Sequence, residues 1–245
     1  MKSRHLSFFV LSVLLFFLPL TDLVAKPPST VERVAILEAQ VAELQALLLD
    51  VSRLNDPNTG QDTLRFAGMN VQIVNDEDVT ETTNGTGNLI IGYNESRDNP
   101  PICPIDRECD RRGGSHNLVM GYRNNYSEFG GIVAGYENEI SGSYASVTGG
   151  RDNLADGEYS SVSGGRDNRA GGEGSSVTGG GGNWASGAGS SVSGGASNTA
   201  SAYVSSVSGG DQNEASGSFS SVSGGAWRDA PDVDDWVAGG LFQDN

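Results

Sequence analysis

The chain has 245 residues, a formal net charge of −16, 35 glycines, 8 prolines and 7% aromatic residues. Charge of that sign excludes the basic footprint of a nucleic-acid binder and the polybasic patch of a membrane-surface protein. An acidic, glycine-rich chain is disordered unless its composition repeats on a fixed period, so periodicity decides between the two.

Residues 1–25 read as an export signal. Lys2 and Arg4 open the chain, Leu6 to Leu20 is almost wholly apolar, and the small residue Ala25 closes the segment. About 15 apolar residues interrupted by Pro19 are short for a membrane span. No cysteine stands near the cut to carry a lipid. The expectation is an exported protein, extracellular, on the cell surface or periplasmic, with no membrane span after cleavage.

A helix is expected over residues 30–55. Val34, Leu37, Val41, Leu44, Leu48 and Val51 are spaced 3-4-3-4-3, the a/d stripe of a coiled coil. No second helical segment is at hand for that stripe to pack on. Arg33 and Glu38 bracket Val34 and Leu37 in an Arg-h-x-x-h-Glu pattern that resembles the short trimerisation signature of parallel coiled coils. Valine at a with leucine at d leans instead to a dimer; the trimer is the preferred reading.

Residues 56–87 are expected to form a loop and a first strand. Pro57, Asn58 and Gly60 mark the loop. Asp56, Asn58 and Asp62 lack the spacing of an EF-hand calcium loop. Val71 and Ile73 alternate with polar Gln72, a strand signal.

A repeat occupies residues 88–230. Val147, Val162, Val177, Val192, Val207 and Val222 stand 15 apart, and Asn153, Asn168, Asn183, Asn198 and Asn213 keep the same step. So do Ala155, Ala170, Ala185, Ala200, Ala215 and Ala230. Upstream, Val119, Val133 and Val147 are 14 apart, because one residue fewer stands at the glycine turn before each asparagine. Ile90 joins the valine column one 14-step plus 15 residues earlier. That surplus defines an inserted loop at 95–114. It carries Cys103 and Cys109, expected to form a disulfide in an oxidising compartment. A metal pair is the weaker reading, since only His116 among histidines after the signal could help complete a site.

Ser-Val-Ser and Asn-x-Ala are short alternations separated by Gly-Gly on one side and a Gly/Ser-rich segment on the other. Two strands of about four residues and two turns fill such a unit. The predicted fold is mainly β: a parallel β-roll or β-solenoid of 14–15-residue coils stacked at about 4.8 Å, preceded by a short coiled-coil helix. Valine and alanine face inward, and the asparagines form an amide ladder at a turn. One valine and one alanine per coil bury little against the backbone entropy of the unit. Association through the heptads would cover more surface.

Signal, heptads and repeat together resemble the trimeric autotransporter adhesins of the YadA type. Their head is a left-handed parallel β-roll of S-V-A-x-G and N-x-A-x-G repeats. "NLIIGYN", "NLVMGYRNN" and "GIVAGYENEISGSYASVTGG" carry the likeness, which spans about Leu89 to Ala230, over half the chain. The resemblance implies a homotrimer that adheres to a surface ligand or matrix. The sequence departs from the family in two ways: the heptads precede the head, and "WRDAPDVDDWVAGGLFQDN" lacks the alternating strands of a membrane barrel. Pro231 is expected to end the last unit, and residues 231–245, with Trp236, Leu241 and Phe242, to join Trp227 in an apolar cap.

The function expected is non-catalytic adhesion or structural interaction at the cell surface. The alternative is an ice-binding solenoid using the paired hydroxyls at Ser146/Thr148, Ser161/Ser163, Ser176/Thr178, Ser191/Ser193, Ser206/Ser208 and Ser221/Ser223. No nucleophile–base order, carboxylate pair, phosphate loop or metal cluster is legible, so neither catalysis nor a cofactor is expected.

Overall fold

A computed structural model describes residues 28–48, 51–55, 60–97 and 110–239. Residues up to Val71 and residues from Gln72 form two separate units.

The first unit opens with α1 (Thr30–Leu47). Ser29 caps it in a reciprocal box: its hydroxyl accepts the Glu32 N–H, and the Glu32 carboxylate accepts the Ser29 N–H at 2.7 Å. The helix ends with Leu48 as C-cap, not at residue 55. Val51 therefore takes no d position. It begins β1 (Val51–Asn55), antiparallel to β2 (Asp62–Phe66), with Val51 opposite Phe66. β-Branched Val51 and a Pro/Asn/Gly turn sequence favour a hairpin over another helical turn. Val71 and Ile73 lie outside any strand.

The second unit is a parallel β-solenoid of coils about 15 residues long. One sheet of ten strands runs from β3 (Leu89–Ile91) through β4 (Leu118–Tyr122) to Trp236–Val237. A second sheet of eight runs from β5 (Asn125–Tyr126) to Asp229–Ala230. In register, Ile90 meets Val119, Val119 meets Val133, and Val222 meets Val237. In the 14-residue coils the first limb is one continuous strand, as in β4 and β6 (Ile132–Tyr136). The extra glycine of the 15-residue coils breaks it into Ser-Val and a single bridge, such as Arg151 to Arg166. In the 15-residue coils the strands are thus two residues long, shorter than the expected four.

The core is the shared interior of the columns. Val133, Val147, Val162, Ala155, Ala170 and Ala185 are all 0% exposed. The asparagines are equally buried, but their ladder is not chiefly amide on amide. Asn168 Nδ2 donates to Gly164 O of its own coil at 2.9 Å and to Gly180 O of the next at 3.1 Å. Its Oδ1 accepts the Asn183 N–H at 3.0 Å. Asn124 and Asn138 extend the column into the 14-residue coils. The second glycine of each pair is required: a Cβ on Gly165 (φ +84°) would lie 2.2 Å from Gly180 O.

The stack does not stop at Pro231. The residue at that place in earlier coils gives its N–H to the following coil, as Ser216 does to Ala230 O. Proline ends the second sheet without orphaning a donor, and the first sheet gains one more rung at Trp236–Val237.

Candidate functional site: the outward columns of the roll

Inward residues being nearly uniform, differences between coils lie on the outside. On the first sheet the positions flanking each inward residue face out. In the first three coils they are Leu89/Ile91, Leu118/Met120 and Ile132/Ala134; from the fourth coil they are Ser146/Thr148 and then hydroxyl pairs through Ser221/Ser223. Leu89, Ile91 and Ile132 are exposed, and Leu118 and Met120 half-buried. Beside them Tyr122 and Tyr136 stack at 5.2 Å. The outer face is therefore apolar for three rungs and hydroxylated for six. Since the roll tolerates serine there, its own folding does not require the apolar residues.

The residues just before each strand of the first sheet form one edge, and those just after the glycine pair form the other. The leading edge carries Tyr144 and Tyr159, stacked at 5.4 Å with planes 3° apart, and Phe129 edge-on to Tyr144. Tyr144 donates to Glu81 Oε1 at 3.1 Å. Desolvation first, then that bond, raises the Tyr144 pKa; a hydrogen bond with Glu158 does the same for Tyr159. The trailing edge carries Arg151 and Arg166, each engaged through Nε by the neighbouring Asp152 or Asp167 at 3.3 and 3.1 Å.

The second sheet bears a polar groove of about 500 Å³ whose lining includes Glu139, Leu154, Asp156 and Arg169. Asp156 pairs with Arg169 and raises its pKa. Arg169 also covers one face of Trp184 at 5.4 Å.

In the first unit Val34, Leu37, Val41, Leu44 and Leu48 are all about half exposed or more among the described residues. Arg33 and Glu38 are exposed on the same helix. Trp227 (73% exposed) and Trp236 (69%) do not close the end of the stack as an apolar cap. Trp236 instead donates Nε1–H to Ser223 Oγ along the side of the roll. Cys103, Cys109, the signal residues 1–25, Leu241 and Phe242 lie outside the described residues. The two limbs flanking the insertion are in the stack, with Tyr126 N–H bonded to Arg111 O and Asn94 Nδ2 to the Tyr126 hydroxyl.

Among the described residues, no group of His, Cys, Asp and Glu could hold a metal, and no helix is long and apolar enough to cross a membrane. The residues after the glycine pair, Arg151, Arg166, Trp184 and Trp227 among them, are legible from sequence as outward contacts; the apolar rungs and the leading-edge aromatics were not singled out. The signal was available as the switch from Leu/Ile to Ser on either side of the invariant column. No protein-family model matches the chain, and comparison with curated proteins finds no match.

Proposed function

We propose that the protein is an exported homotrimer, a YadA-like β-roll head that acts without catalysis in adhesion or in extracellular structural contact. The observation that carries this reading is two apolar surfaces left exposed among the described residues: the heptad stripe of α1 and the three apolar rungs of the first sheet. Both ask for a partner that is itself apolar, and a second and third copy provide one. The hairpin of β1 and β2, marginal as an isolated two-stranded sheet, also gains from assembly. In this reading the first three coils hold the copies together, and the six hydroxylated coils present the surface that meets a ligand or matrix.

Sedimentation equilibrium on residues 26–245 should give three chain masses. Leu44→Asp with Ile132→Glu should give one. A monomeric parent protein would end the proposal.

A second reading rests on the hydroxyl columns, which run over six rungs at the repeat of the sheet. Such an array could order water at an ice surface. Thermal hysteresis in the parent protein, lost in Ser176→Tyr, would favour it; freezing at the colligative point would remove it.

A further inference from the structure

The two edges of the first sheet differ in chemistry, and they differ over the same few rungs. Around the Val147, Val162 and Val177 coils the leading edge offers Tyr144, Tyr159, Glu158 and Glu173. Glu158 and Glu173 are exposed, and neither makes an ion pair among the described residues. Over the same stretch the trailing edge offers Arg151 and Arg166. Their side chains are 52% and 62% exposed, each with Nε beside a neighbouring aspartate. Asp152 and Asp167 line the groove of the second sheet, which Arg151 and Arg166 do not. After Arg166 the trailing column continues as Gly181, Ala196 and then Asp211, and after Glu173 the leading column continues as Ala188 and Tyr203. Before these coils the edges carry aromatic residues, with Tyr122 and Tyr136 on one edge and Phe129 beside Glu128 on the other.

We infer that Arg151 and Arg166 of one copy dock against the Tyr144–Tyr159 stack and the Glu158 and Glu173 carboxylates of the next copy. The inference rests on the homotrimer reading. Its geometry follows from symmetry. A three-membered ring has only heterologous contacts, so the leading edge of each copy meets the trailing edge of its neighbour, and equal coils stand level. Guanidinium groups suit that site on two counts. They stack on tyrosine faces, and their remaining N–H donors fit carboxylates. The chain already uses the first contact internally, with Arg123 over Tyr122 at 5.1 Å and Arg169 over Trp184. The apolar rungs and the heptads hold the copies, and the charged edges meet across each seam.

The test is a crosslink between edges in the full chain. Glu158→Cys with Arg166→Cys, treated with a bismaleimide of about 10 Å reach, should give covalent trimers on denaturing gels. The yield should exceed that of the parent chain, with its own two cysteines, by at least tenfold. Either single variant should give no ring. A trimeric mass without the covalent trimer overturns the edge contact and leaves the trimer standing; a monomeric or dimeric mass overturns both. Charge reversal is the second arm. Arg151→Glu with Arg166→Glu should lower the dissociation midpoint of the trimer, and adding Glu158→Arg with Glu173→Arg should restore it. Failure of that restoration in a folded roll also overturns the contact.

Discussion

Asn183→Ala should be among the most damaging surface-neutral changes in the roll, and Ser175→Ala among the least, although both residues are 1% exposed. Asn183 Nδ2 donates to Gly179 O at 2.9 Å and Gly195 O at 3.0 Å, and its Oδ1 accepts the buried Asn198 N–H at 3.0 Å and Asn198 Nδ2 at 3.2 Å. Alanine removes all four bonds and leaves the Asn198 N–H with no acceptor. An orphaned buried donor costs about 1–3 kcal/mol and each of the other three lost bonds about 0.5–1.5, so the loss should be about 2.5–7.5 kcal/mol. Ser175 Oγ, by contrast, is buried with no hydrogen-bond partner among the described residues, and Ala145 fills the equivalent place two rungs back with no loss of burial. Removing that hydroxyl should leave stability within about 1 kcal/mol of the parent. Urea denaturation followed by circular dichroism compares the two. Hydrogen exchange at the Asn198 amide supplies a local readout that does not depend on the whole array melting at once. An Asn183→Ala loss under about 1 kcal/mol, or a Ser175→Ala loss above it, would refute the accounting.

The glycine pair separates in the same way. Gly165→Ala should lower stability by about 2 kcal/mol or more, since it combines a positive φ with a clash on Gly180 O. Gly164→Ala meets nothing within 4 Å and should be close to neutral by the same denaturation assay. For α1, the Ser29 N–H and then the Ser29 hydroxyl lower the Glu32 pKa. A depressed carboxylate supports the helix above its ordinary pKa and loses that support as pH falls through the folded value. Helicity at 222 nm should therefore drop on acidification, and Glu32→Gln should start lower and flatten the profile. Arg169→Ala uncovers Trp184 and should shift its fluorescence to longer wavelength without changing the melting midpoint by more than a few degrees; an unchanged spectrum would mean the ring is not covered in solution.

The parallel solenoid was legible because a coil with an invariant inside advertises its period. Val147 to Val222 and Asn153 to Asn213 gave the register directly, and the one-residue difference at the glycine turn located where the longer coils are split. Three elements were less legible, each because two patterns overlap. Val51 completes a heptad stripe by spacing and a β-hairpin by branching, and pairing with Phe66 decided it. Pro231 is a stop signal for one sheet and a harmless residue for the other, a distinction that depends on which N–H groups face a following coil. The asparagine column was visible, but the bonds it makes were not. Spacing places identical amides one above another, and only the backbone geometry reveals that carbonyls and N–H groups of the next coil are nearer.

Those asparagine bonds make the stack directional. Each Oδ1 is an acceptor presented by one coil for a backbone N–H that comes later in the chain, from Asn153 on Asn138 through Asn213 on Asn198. A finished coil is thus a mould for its successor, and a chain made from its N-terminus meets each mould in the order it is needed. Because every joint uses the same few bonds, coils are interchangeable as lengths. Deleting one 15-residue unit, such as 176–190, would bring Asn198 onto Asn168 and shorten the rod by about 4.8 Å without changing how it ends. Rod height is then a quantity that duplication and loss of repeats can adjust in single steps.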